Sequence, residues 1–100
     1  MKFEHSHTLG KDEARRRIER LASYWSTQYG VAVAWSGDSA HLVGKVKGVD
    51  VDATLTVRDG LVDAAGTDPG LLMRSVATAY LKRKVAMYLD PSVRLEDIVE

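Results

Sequence analysis

Three histidines are the residues of this chain best suited to metal or acid–base chemistry. His5 and His7 stand one residue apart, which on a strand puts both imidazoles on one face, and His41 lies in a later alternating stretch. A structural zinc site needs four ligands and the chain has no cysteine to add. His41 follows the opposite parity from its apolar neighbour Leu42, so it points away from the core, whereas His5 and His7 share parity with Phe3 and Leu9. The expectation is three locally hydrogen-bonded histidines and no metal ligands. Asp50 and Asp52 share a solvent face opposite lysines, which suits a structural role better than proton transfer. With no cysteine nucleophile, no G-x-S-x-G and no phosphate loop, the chain reads as a non-enzyme with no catalytic residues and no cofactor.

Two basic features remain. Arg15, Arg16, Arg17 and Arg20, wrapped on a helix, scatter around it with acids interleaved: Arg16 and Arg20 point outward, and Arg15 and Arg17 flank the apolar stripe. They read as a solvated face and not as a phosphate-binding patch. Lys84 falls near the centre of the sheet-facing stripe of a later helix, between Tyr80 and Tyr88. Its ordinary explanation is snorkelling past the sheet edge. Its functional one is a cation at the mouth of a helix-to-sheet cavity lined by Tyr80 and Tyr88, receiving an acidic ligand.

The elements that must position these residues are legible from periodicity. Residues 31–66 alternate as a four-strand antiparallel meander, with turns at Gly37-Asp38, near Gly48, and at Asp59-Gly60. The last turn sets Val57 against Val62, Leu55 against Ala64 and Ala53 against Gly66. Near Gly48, turns centred on Lys47-Gly48 and on Gly48-Val49 keep the same faces, and the residues do not choose between them. Both leave Lys45 and Lys47 pointing away from the apolar face. Residues 2–8 alternate as a fifth strand. A helix follows from Lys11, with Gly10 as N-cap, Glu13 placed to reach back to it, an apolar stripe of Ala14, Ile18, Leu21, Ala22, Trp25 and Tyr29, and Gly30 as left-handed stop. The core should bury Ile18, Leu21, Trp25, Trp35, Leu42, Val46, Val51, Leu55 and Val57.

Asp68-Pro69 opens a second helix of about twenty residues that ends before Pro91. Leu72, Met73, Val76, Ala77, Tyr80, Met87 and Tyr88 form the face expected to cover the sheet. Leu71, Leu81, Val85 and Leu89 fall outside it and leave an apolar stripe that predicts an interaction surface, for a second copy of the chain or another partner. Residues 1–91 form one domain and 92–100 a short C-terminal tail. The fold class is α+β, a two-layer sandwich or half-barrel of order β-α-β-β-β-β-α, with the meander covered by two helices.

Fourteen basic and fourteen acidic residues cancel, which argues against nucleic acid as partner. No run is long and apolar enough for a membrane span, residues 1–9 are too polar for a signal peptide, and the absence of cysteine suits the cytoplasm.

Several short motifs carry a resemblance: His5-Ser6-His7-Thr8-Leu9-Gly10, Glu13-Ala14-Arg15-Arg16, Tyr29-Gly30, Trp35-Ser36-Gly37-Asp38 and Gly48. Up to about Gly60 the chain resembles the polyhydroxyalkanoic acid system family, small bacterial proteins whose genes lie among those for polyhydroxyalkanoate storage polymer. The resemblance implies a granule-associated or regulatory role, with the granule or a granule protein as partner and no defined reaction. The expected function is therefore non-enzymatic binding through an apolar surface. The alternative is a small-molecule module that holds an acyl or hydroxyacyl ligand in a helix-to-sheet cavity. The element order is also similar to helix-grip folds.

Overall fold

The computed structural model describes residues 1–67 and 70–98, and of residues 71–73 the backbone only. Strand β1 (Lys2–Ser6) is followed by helix α1 (Lys11–Tyr29), by strands β2 (Ala32–Ser36), β3 (Ser39–Val46), β4 (Val49–Arg58) and β5 (Leu61–Gly66), and by helix α2 (Leu71–Tyr88). The five strands make one antiparallel sheet in the order β1-β5-β4-β3-β2. The α+β order is thus the expected one, with β1 joining the meander at its β5 edge. The proposed Asp68 cap and Pro69 lie outside the described residues.

Turn chemistry sets the registers. Ser36 pairs with Ser39 across Gly37-Asp38, and Val57 pairs with Val62 across Asp59-Gly60. Near Gly48, Val46 pairs with Val49, so the turn is Lys47-Gly48. Both of its residues have positive φ, 52° at Lys47 and 79° at Gly48, as a twist-matched two-residue hairpin requires. Gly44 lies where β3 passes under Val31, just beyond the Gly30 cap of α1: a Cβ there would meet the Val31 Cα at 3.0 Å.

Both helices lie on the apolar face. Arg17 of α1 reaches the carbonyl of Tyr88, whereas Trp25 reaches Tyr80, so the helices run antiparallel. Ala14, Ile18, Leu21, Ala22 and Trp25 are buried against Leu42, Leu55, Val57 and Val62, and Gly30 closes α1 at φ 71°. Two residues expected in the core are only half-buried. Trp35 lies beneath the Arg15 guanidinium near the β2 edge, and Val51 lines a cleft.

Helix α2 turns to the core a side rotated from the one its sequence suggested. Tyr88 of the expected face is buried, but so are Leu81, Val85 and Leu89, with Val85 0% exposed, while Val76 is 59% exposed. The stripe expected to meet a partner, Leu81, Val85 and Leu89, is therefore the protein's own core, and the Leu71 side chain lies outside the described residues. A helix apolar nearly all round carries no phase in its periodicity, so contacts with α1 and β1 decide which side turns inward.

The arginine cluster is corrected as well. Arg17 is 4% exposed. Its guanidinium donates to the Glu13 carboxylate at 2.9 Å and to the carbonyls of Tyr88, Asp90 and Val93 at 3.3, 2.7 and 2.6 Å. Arg20 donates to the carbonyls of Leu95 and Ile98. The two arginines clasp the residues after α2 onto α1, where Ile98 is buried. A cation at the carboxyl end of a helix satisfies carbonyls that have no partner within it. Glu13 makes ion pairs with Arg16 and Arg17 rather than capping Gly10, and these bonds hold its carboxyl below the usual glutamate range.

Candidate functional site

The antiparallel strands bring the Lys47-Gly48 turn, Thr67 and Met1 to one end of the sheet. Between that end and residues 76–83 of α2 lies a cleft of about 400 Å³. That volume falls in the range of small-molecule sites, which runs from about 300 to 1,000 Å³. Leu42 and Val46 of β3, with Val49, Val51 and Ala53 of β4, form the floor, Trp25 and Val31 close the inner end, and Val76, Ala77, Tyr80 and Leu81 supply the helical wall. Small residues make the room, since Ala53 and Ala77 stand where larger side chains would fill the space.

Tyr80 is the polar centre of a largely apolar lining, whose other polar members are Lys47, Asp50, Asp52, Thr67 and Arg83. Its hydroxyl accepts a hydrogen bond from the Trp25 indole at 3.3 Å. Burial pushes the phenol above its ordinary range, partly opposed by the bond from Trp25. Three cations gather round the ring: Lys47 Nζ is 5.1 Å from its centroid, Arg83 Cζ 5.7 Å and Lys84 Nζ 6.0 Å. Lys47 and Arg83 line the cleft, whereas Lys84 sits outside it, 4.7 Å over the ring of Tyr24.

Of the three residues proposed for a ligand cavity, the structure thus places only Tyr80 in it. Tyr88 lies in the core, 0% exposed. The sequence reading missed Arg83 and Lys47. Strand alternation had sent Lys47 to the opposite face, but alternation stops at the turn, and a positive φ there swings the side chain to the helical side. The one available signal was a two-residue turn ending in Gly48.

The histidines stay apart. His41 Nε2 lies 2.7 Å from the Asp52 carboxylate on the outer face, and His7 Nε2 lies 3.3 Å from the carbonyl of Arg58. Among the described residues no three ligand-type side chains converge as a metal site. Among them, too, no helix is long and apolar enough to cross a membrane.

Two of the short motifs meet in space. Arg15 stacks 4.3 Å over Trp35 and donates to the Gly37 carbonyl at 2.6 Å and to Asp38 at 3.1 Å, while Lys11 pairs with Asp38 at 2.7 Å. The hydrogen bond from Lys11, with a second from Arg15, holds the Asp38 carboxyl below its usual range. These motifs pin α1 to the β2–β3 turn, at the end of the sheet away from the cleft.

No curated protein and no solved structure matches the chain. The family model of the polyhydroxyalkanoic acid system proteins matches residues 1–92, extending through α2 beyond the Gly60 limit of the motifs. The chain belongs to the polyhydroxyalkanoic acid system protein family.

Proposed function

We propose that this protein is a non-enzymatic binding component of a polyhydroxyalkanoate system, working in the cytoplasm, and that its apolar binding surface is the cleft between α2 and the β3–β4 end of the sheet. The occupant is an acyl or hydroxyacyl chain, the chemistry that a polyhydroxyalkanoate granule and its precursors share. The cleft carries this reading, because it is a largely apolar space of about 400 Å³ with the Tyr80 phenol in its wall and the cations Lys47 and Arg83 beside that ring. Among the described residues its lining includes no histidine, serine or cysteine. Its two acids are already engaged, Asp50 with Lys45 at 3.1 Å and Asp52 with His41. Such a lining supports holding a chain rather than transforming it.

Trp25 gives the test its signal. Because it lines the cleft and Trp35 does not, a Trp35→Phe variant carries a single tryptophan reporting on occupancy. Titration with dodecanoate or β-hydroxydecanoate should change Trp25 emission saturably. Adding Ala77→Phe should fill the cleft from the half-buried helical wall, weakening binding by at least about tenfold with little change in melting temperature. Silence at Trp25, or unchanged binding with Phe at position 77, would overturn the assignment.

A further inference from the structure

We infer that the cleft selects chains ending in a carboxylate, held beside the Tyr80 ring between Lys47 and Arg83, with the acyl chain running inward towards Trp25. This rests on the cleft being the binding site and adds which end of the ligand it recognises. Among the described residues, neither Lys47 nor Arg83 has a carboxylate within ion-pair distance, although Lys11, Lys45, Arg15, Arg16 and Arg17 all do. The cleft's own acids, Asp50 and Asp52, are paired with Lys45 and His41. Cations gathered on one ring without an acid repel one another, and an anion placed among them relieves that repulsion.

The backbone gives a second, independent indication. Lys47 is the only described residue other than glycine with a positive φ. Asparagine, aspartate or glycine would meet the same turn with less strain. A lysine kept in a conformation it disfavours, and aimed over Tyr80, fits a local cost retained for binding.

The single-tryptophan protein should be titrated with dodecanoate and with dodecanol, which share a chain and differ in head group. Dodecanoate should bind about tenfold more tightly at low salt, a modest preference because both cations are exposed and screened. Added salt should narrow it. Lys47→Asn combined with Arg83→Gln should abolish the preference, so that the two ligands bind about equally, and Lys47→Asn alone should reduce the preference while raising the melting temperature. Equal affinity for acid and alcohol in the starting protein, or a preference that survives both substitutions, would overturn the carboxylate assignment and leave the cleft standing. Failure of both ligands to change Trp25 emission would overturn cleft and carboxylate together.

Discussion

A chain carrying Val85→Glu should not fold. Val85 is 0% exposed, among Leu81, Tyr88 and Leu89. A carboxylate there would lose its water, at a cost of several kcal/mol. The lost valine packing adds about 1.5–3 kcal/mol. Small domains have only about 5–15 kcal/mol in total, so the native state would lose most or all of its margin. Val76→Glu, on the same helix but 59% exposed, should leave the circular dichroism spectrum and melting temperature close to those of the parent. The pair asks which side of α2 is inside. A folded Val85→Glu protein with altered mass in solution would return that stripe to the surface and make it an interface after all.

Arg17→Met should destabilise the protein by about 3 kcal/mol, because three carbonyls would lose a charged donor and Glu13 would keep only Arg16. The loss is capped by the cost of releasing residues 90–98 to water, which would satisfy those carbonyls at the expense of the Ile98 contact. Arg17→Lys should recover only part of the stability, since an ammonium cannot span the same fork of acceptors. Arg16→Met removes a single exposed, solvent-screened ion pair and should move the denaturant midpoint far less than Arg17→Met. Denaturant midpoints for the three variants decide the matter, and equal effects from Arg16 and Arg17 would refute the clasp. Acid should weaken the same contact. The Glu13 carboxyl is depressed in the folded state, so its contribution is present above the ordinary glutamate pKa and is lost as pH falls through the lower folded value.

The meander was readable because each turn announces itself locally. Asp59-Gly60 and Gly37-Asp38 supply residues that accept the required backbone angles, and period-two alternation then leaves one face for Leu42, Leu55 and Val57. Helix α1 was readable for the same reason, since its charged and apolar sides differ. Helix α2 was not. With leucine, valine, alanine and tyrosine around most of its circumference, its orientation follows from which neighbours exist, and those are set by the rest of the fold. Arg17 was misjudged because most of its partners are the backbone carbonyls of Tyr88, Asp90 and Val93, which no side-chain pattern marks. The cleft was anticipated in kind, between helix and sheet with Tyr80 in its wall. Its location depended on where α2 stands away from the strands, and its cations on a turn whose geometry reverses a side chain.

The sheet order separates what forms early from what holds late. Each hairpin of the meander pairs residues close in sequence, whereas Lys2 must find Ala65 and Arg17 must find Val93 across most of the chain. Local hairpins close within microseconds, and distant partners meet only after long loops have been ordered. Contacts made after the rate-limiting step leave the folding rate almost unchanged and act on unfolding instead. The seam between β1 and β5, together with the arginine clasp, should therefore govern how long the folded protein survives rather than how quickly it is made.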